Sequence, residues 1–119
     1  LDKAVLVDFS GICSTDLLVL KTKKEVSKEY LVYIIHSKEF IKHAMSATSG
    51  TNHPRTSWKL IGKFKFGLPE AREQQRITET LSAIDRKLEV ERAEKSKLER
   101  IKLGLMDLLL TGKVRVRMD

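Results

Sequence analysis

Residues 70–110 read EAREQQRITETLSAIDRKLEVERAEKSKLERIKLGLMDLLL, and this stretch decides the fold. Apolar residues recur in it at spacings of four and three, which is the period of one face of an α-helix. A helix of about 40 residues is about 60 Å long, several times the length of an average globular helix. The short remainder of the chain cannot cover such a face, so the sequence predicts that this helix pairs with a partner helix.

The centre of the apolar stripe is charged. Glu91 and Lys95 occupy the positions between Leu88 and Leu98 where a plain coiled coil has apolar residues. An antiparallel pair centred on Ala93 places each Glu91 opposite Lys95 of the partner, whereas a parallel pair places like charges together. The sequence therefore predicts antiparallel pairing. The predicted pairing interface consists of Ile77, Leu81, Ile84, Leu88, Glu91, Ala93, Lys95, Leu98, Ile101, Leu105 and Leu108.

Positive charge is concentrated before the long helix. The 119-residue chain has a net charge of +7. Residues 1–69 carry eleven Lys and Arg against six Asp and Glu, a surplus of five, and residues 70–119 carry twelve against ten, a surplus of two. The N-terminal part is therefore the better candidate for binding nucleic acid. The long helix is better suited to contacting protein.

The remaining composition limits the setting of the chain. Its single cysteine, Cys13, allows no internal disulfide, which favours a reducing compartment. No apolar run approaches the ~18–20 residues of a membrane span, so no membrane association is predicted. Because the chain begins at Leu1 without an initiator Met, we expect it to be a fragment or a processed piece.

The N-terminal part and the tail contain patterns typical of strands. Residues 4–9 and 17–20 are short apolar runs, and residues 64–68 alternate apolar with polar or small side chains. Residues 113–118 alternate again, which favours a docked strand over a frayed end. The predicted fold class is α+β, with a small mixed α/β portion followed by one long helix.

Several residues predict where helices begin and end. Ser27 and Ser37 are predicted N-caps of two short helices. Pro69 suits the first position of the long helix, and Gly112 suits its C-cap. Trp58 is predicted to pack in the core, in preference to stacking on a base.

Two polar segments are candidates for contacts with a polyanion. The lysines of residues 21–24 could act as point charges on phosphates, or could form an ordinary solvated turn. The polar loop of residues 47–56 carries side chains that can contact base edges or phosphates, although such loops are also common on any surface. The candidate DNA-contacting residues are Lys21, Lys23, Lys24, Thr51, Asn52, His53 and Arg55.

Sequence patterns of common enzymes are missing. There is no glycine-rich phosphate loop and no His-Glu-x-x-His, Cys-x-x-Cys or Gly-x-Ser-x-Gly pattern. His36 and His43 lack a second metal ligand at a useful spacing. We predict no catalytic residue and no metal site.

Several blocks of the sequence together resemble the specificity subunits of type I restriction–modification systems. The similarity is strongest from Ser49 onward. The chain departs from the family at Glu70 and Ala71, where a second proline and an apolar residue often follow Pro69. The blocks are residues 49–58 (SGTNHPRTSW), 66–69 (FGLP), 73–77 (EQQRI) with Leu81 and Asp85, and 104–114 (GLMDLLLTGKV).

The resemblance implies a non-catalytic subunit that reads duplex DNA. Such subunits carry two target recognition domains, each reading one half of a bipartite sequence, joined by two long antiparallel helices that set the spacing. Methyltransferase and restriction subunits are the implied partners, and S-adenosylmethionine, ATP and Mg are expected only on them. The implied location is the cytoplasm of a bacterium or archaeon.

The resemblance also implies a division of the chain. Residues 1–68 correspond to the C-terminal part of a target recognition domain, residues 69–112 to the spacer and dimerisation helix, and residues 113–119 to a short basic tail or strand. The partner helix is either a second copy or the first long helix of the parent subunit. The alternative is a coiled-coil interaction module that does not read DNA.

Overall fold

The computed structural model describes residues 3–49 and 55–117 of the chain. The chain divides into two compact units, Leu1–Glu79 and Thr80–Asp119. Within the described residues, no helix has both the length and the apolar character needed to cross a membrane. The elements in chain order are α1 (Lys28–Ile35), α2 (Lys38–Ser46), β1 (Thr48–Ser49), β2 (Arg55–Thr56), α3 (Trp58–Ile61) and α4 (Ala71–Leu110).

Serine side chains begin α1 and α2 as predicted. Ser27 and Ser37 both have extended backbone conformations at the N-cap. The Ser27 hydroxyl accepts a hydrogen bond of 3.0 Å from the Tyr30 amide, and the Ser37 hydroxyl accepts one of 3.2 Å from the Phe40 amide. Each bond satisfies an amide that has no partner within its own helix.

The core of the first unit is small and partly aromatic. Tyr30, Ala44 and Ile61 are buried, and the Phe40 and Phe64 rings meet edge to face with centroids 5.2 Å apart. The Tyr30 hydroxyl donates to the Gly67 carbonyl at 3.1 Å. Helix α1 is therefore joined to the segment that leads into α4.

The predicted α+β fold class is wrong, because the regular secondary structure of the described residues is helical apart from one pair of two-residue strands. The only paired strands among the described residues are β1 and β2, with Thr48 opposite Thr56 and Ser49 opposite Arg55. Residues 4–9, 17–20, 64–68 and 113–117 have no strand partner there. An alternating pattern shows that the side chains of a segment suit a strand. The segment becomes a strand only where a neighbouring strand provides partners for its backbone hydrogen bonds.

The long helix α4 is confirmed, and it begins after Pro69 and not at it. The Glu70 carbonyl accepts from the amides of Glu73 and Gln74, each at 2.9 Å. At the other end Gly112 has a φ of 73°, a left-handed conformation in which glycine carries no steric penalty. Its amide donates to the Leu109 carbonyl at 3.2 Å, so Gly112 ends the helix as predicted.

We expect Ser27→Ala to lower the free energy of unfolding of the first unit by about 1 kcal/mol, because the Tyr30 amide loses its acceptor. Ser57→Ala is the matched control, since Ser57 is also an N-cap but makes no side-chain cap hydrogen bond. Urea unfolding followed by the fluorescence of Trp58, the single tryptophan, measures both changes. Equal losses in the two variants would contradict the assigned cap.

Candidate functional site

The polar-loop candidates are largely beyond what the structure describes. Thr51, Asn52 and His53 lie outside the described residues. Arg55 is described through its backbone, which pairs with Ser49. The predicted DNA contacts of these four residues therefore stay predictions.

The three lysines of residues 21–24 are exposed on the segment before α1. A turn forms there, in which the Val26 amide donates to the Lys23 carbonyl at 3.1 Å. Among the described residues, none of the three lysines makes an ion pair or a side-chain hydrogen bond. Their charges are consequently available to an anion from solution.

The structure brings Lys21 and Trp58 to the same groove. This groove encloses about 350 Å³ and is otherwise lined by apolar side chains, among them Leu31, Phe64 and Phe66. Lysine and tryptophan can together contact nucleic acid, the lysine through phosphate and the indole through stacking. This proximity could not be predicted from the sequence, because 36 intervening residues separate the two positions.

The predicted core position of Trp58 is wrong, since its side chain is 56% exposed. Helix α3 has one turn, and Ile61 is its buried residue. A Cβ added at Gly62 would lie 2.9 Å from the Trp58 carbonyl oxygen and 3.1 Å from the indole Cε2. The indole therefore lies against a glycine on one side and faces solvent on the other.

Gln74 was missed as a candidate, and it is the one fully buried polar side chain among the described residues. Its Oε1 accepts from the Ser27 amide at 2.9 Å. Its Nε2 donates to the carbonyls of Glu25 and Pro69, each at 2.8 Å. One side chain thereby joins the segment before α1 to the first turn of α4, and both belong to the first unit.

A signal for Gln74 was present in the helical period. Gln74 lies three residues before Ile77 and seven before Leu81, so it extends the apolar stripe toward the N-terminus. A polar side chain in phase with such a stripe faces the same side as the buried residues. The sequence alone could not identify its partners, because two of them lie 47 and 49 residues away.

In the second unit, the predicted pairing face is exposed. Leu81, Ile84, Leu88, Leu98, Ile101, Leu105 and Leu108 all leave a substantial part of their side chains uncovered. Lys95 lies 3.8 Å from Glu99 of the same helix. An open apolar groove of about 340 Å³ runs along the C-terminal half of this face, lined by Leu98, Ile101, Lys102, Leu105, Met106, Leu109 and Leu110.

The described residues include no cluster of three His, Cys, Asp or Glu side chains that could hold a metal ion. His43 packs against the Phe64 ring, with centroids 5.4 Å apart, and its Nε2 lies 3.0 Å from the Leu60 carbonyl oxygen. His43 therefore makes a ring contact and a backbone contact within the first unit.

Comparison with known proteins gives a consistent result. The family model that matches is the type I restriction modification DNA specificity domain, over residues 3–100. The type I restriction enzyme MjaVIII specificity subunit of Methanocaldococcus jannaschii is 35% identical over 99 residues, covering 83% of this chain and 23% of that protein. The putative type I restriction enzyme MjaX specificity subunit of the same organism is 34% identical over 100 residues, covering 82% and 23%.

The chain thus spans just under a quarter of the length of these two curated relatives, 23% in each case. No solved structure matches the chain significantly.

We expect iodide to quench Trp58 fluorescence more strongly than caesium does. The indole is half exposed, and Lys21 lines the same groove. Because Lys59 also follows Trp58 directly in the chain, anions should concentrate near the ring. Stern–Volmer constants at low ionic strength measure the difference, with N-acetyltryptophanamide as the uncharged reference. Lys21→Gln should reduce the advantage of iodide, and an iodide-to-caesium ratio in the wild type no higher than that of N-acetyltryptophanamide would contradict a positive environment.

Proposed function

Because the chain belongs to the type I restriction–modification DNA specificity family, we propose that it forms part of a specificity subunit that reads one half of a bipartite duplex DNA sequence. Membership of the family carries this proposal, since the matching domain is named for DNA specificity. The charge distribution supports it, because residues 1–69 hold a surplus of five positive charges, eleven minus six. A polyanion is the partner that such a surface attracts.

Specificity subunits of type I systems are non-catalytic, which agrees with the prediction that this chain is not an enzyme. We propose that the parent subunit binds methyltransferase and restriction subunits, and that the chemistry with S-adenosylmethionine, ATP and Mg takes place on them. The bacterial or archaeal cytoplasm, where the DNA lies, remains the predicted location.

On the first unit, we propose that the DNA-facing surface includes the lysines of residues 21–24 and the exposed side of Trp58. The lysines supply sequence-independent attraction to phosphates, and the indole supplies an aromatic surface beside Lys21. The polar side chains Thr51, Asn52, His53 and Arg55 remain the proposed source of base contacts, because amide, imidazole and guanidinium groups carry the donors and acceptors that match base edges.

On the second unit, we propose that α4 pairs antiparallel with a second long helix and thereby sets the distance between two reading domains. The uncovered apolar face supports a helical partner, because an isolated chain leaves the stripe from Leu81 to Leu108 in water. The Glu91 and Lys95 positions support the antiparallel direction. Exposed ion pairs contribute only about 0–1 kcal/mol each, so the apolar residues supply affinity and the charges select orientation.

A second candidate function is an interaction module that assembles through α4 and does not read DNA. The same uncovered apolar face favours it. Binding of one bipartite duplex in preference to a scrambled duplex of equal length separates the two proposals, because a pure interaction module shows no such preference.

We expect Lys23→Gln combined with Lys24→Gln to reduce DNA affinity by the same factor for every sequence. Plots of log Kd against log salt concentration should lose about 0.9 of slope per phosphate contact removed. Lys87→Gln combined with Lys97→Gln, both on α4, is the matched control of equal charge change and should leave the slope unaltered. An unchanged slope in the Lys23→Gln, Lys24→Gln variant would place these two lysines outside the interface.

We expect Leu81→Glu and Leu105→Glu each to abolish association through α4, because antiparallel pairing about Ala93 places these two residues opposite each other. Val90→Glu is the control, since Val90 is also an exposed apolar residue of α4 but lies off the stripe. Sedimentation equilibrium gives the masses. Association that survives both stripe variants, or is lost equally in the control, contradicts the proposed face.

We expect Glu91→Lys to weaken self-association, because the new lysine faces Lys95 of the partner, and we expect the added change Lys95→Glu to restore it. The dissociation constants of the single and double variants measure the coupling. No recovery in the double variant would exclude the antiparallel register.

A further inference from the structure

The side-chain amide of Gln74 makes the hydrogen bonds that the backbone of a neighbouring strand would make. Its Oε1 accepts from the Ser27 N–H and its Nε2 donates to the Glu25 carbonyl, which are groups that a neighbouring strand would contact. The second Nε2 hydrogen goes to the carbonyl of Pro69, two residues before α4 begins. Three of the four hydrogen bonds available to the amide are thus used on backbone groups.

Neither a glutamate nor a methionine can reproduce this set of contacts. A glutamate lacks the two N–H donors, and a methionine of similar length has no donor and only a weakly accepting sulfur. Gln74 is 1% exposed, so water cannot easily replace it, and its hydrogen bonds are strengthened by the low local dielectric. Loss of the amide leaves three backbone groups without their partner, which is more disruptive than loss of one exposed hydrogen bond.

The neighbouring Gln75 shows how different the two glutamines are. Gln75 is exposed, and its Nε2 donates to Glu79 Oε1 one turn along the same helix, at 2.8 Å. Among the residues that the structure describes, its side chain hydrogen-bonds only within α4. Two adjacent residues of the same type therefore differ in burial and in the segments they join.

We propose that Gln74 is a positioning residue that locks the first turn of α4 to residues 25–27, and that this lock restricts the spacing between half-sites at which the subunit binds DNA. The second part rests on the proposed function. Adding one base pair between two half-sites moves them apart by about 3.4 Å and rotates them by about 35°. A rigid junction between reading domain and helix rejects that change, whereas a loosened junction tolerates it.

The lock is tested by hydrogen exchange of the Ser27 amide in wild type, Gln74→Met and Gln75→Met. Exchange should be slow in the wild type and in Gln75→Met, and about tenfold or more faster in Gln74→Met, as expected from one lost net hydrogen bond. An unchanged Ser27 rate in folded Gln74→Met overturns the lock.

A second variant covers the case in which Gln74→Met does not fold. Ser27 has a φ of −71°, a value that proline can adopt. Ser27→Pro therefore removes the backbone N–H that donates a hydrogen bond to Gln74 Oε1. It also removes the hydroxyl cap, and Ser27→Ala controls for that loss. If the lock holds the junction, Ser27→Pro is less stable to urea than Ser27→Ala, and equal midpoints overturn it.

The effect on spacing is tested in the intact parent subunit assembled with its methyltransferase subunits. A bipartite site is first selected from random duplexes, and Kd is then measured with the selected spacer and with one base pair added or removed. In the wild type and in Gln75→Met, either change of spacer should lower the affinity at least about tenfold, which is similar to the effect of one mismatched base pair. In Gln74→Met the same changes should lower the affinity less than about threefold. General destabilisation lowers affinity for all spacers alike and leaves this ratio unmoved.

The outcomes separate the two levels of the proposal. Suppose that Gln74→Met shows faster Ser27 exchange and yet loses as much affinity as the wild type when the spacer is changed. That result overturns the role in spacing and leaves Gln74 as a stabilising residue. If the wild-type assembly selects no bipartite duplex, the proposed function fails and the spacing role fails with it. In that case hydrogen exchange of the Ser27 amide still tests whether Gln74 holds the first turn of α4 to residues 25–27, because this measurement uses no DNA.

Discussion

The first unit depends on one buried amide. The backbone segments before α1 and before α4 are irregular and lie against the buried Gln74 side chain, so their amide and carbonyl groups need hydrogen-bond partners from elsewhere. Gln74 supplies them to Glu25, Ser27 and Pro69. The Tyr30 hydroxyl adds a second connection to the same linking segment through the Gly67 carbonyl. These polar contacts are needed because the buried apolar core, Tyr30, Ala44 and Ile61, is small.

A small core with a large uncovered apolar surface has consequences for function. Both the groove beside Trp58 and the face of α4 leave apolar side chains exposed. Monomeric proteins rarely tolerate such patches unless a partner covers them. The chain spans 23% of the length of its two specificity-subunit relatives.

The two units suit different partners for electrostatic reasons. Within the part of the chain that the structure describes, Lys21, Lys23 and Lys24 form no ion pair, so their positive field extends into solvent. On α4, charges of both signs alternate, as in the Lys95–Glu99 pair at 3.8 Å, and long-range fields largely cancel. What remains on α4 is an apolar stripe with a charged centre, a pattern that discriminates between helix directions better than it attracts a polyanion.

Local signals in the sequence were sufficient for the helices, for the N-caps of α1 and α2 and for the C-terminal end of α4. The four-and-three period determined α4, and the serines at 27 and 37 and the glycine at 112 determined caps and a C-terminus, because these features depend on residues within one or two turns. The strand predictions for residues 4–9, 17–20 and 64–68 failed for the opposite reason. A strand exists only where a distant segment completes its hydrogen bonds, and the sequence does not say whether one does.

Only the tertiary structure decided which side chains lie together. The sequence marked Lys21 and Lys23 as phosphate candidates, but the placement of Lys21 beside a half-exposed Trp58 results from packing between segments far apart in the chain. The helical period of residues 70–110 also aligned Gln74 with the apolar face, which indicated burial. Its role as the connection between the start of α1 and the start of α4 required partners 47 and 49 residues away. Periodicity determines the direction in which a side chain points, and only the folded chain determines what it meets there.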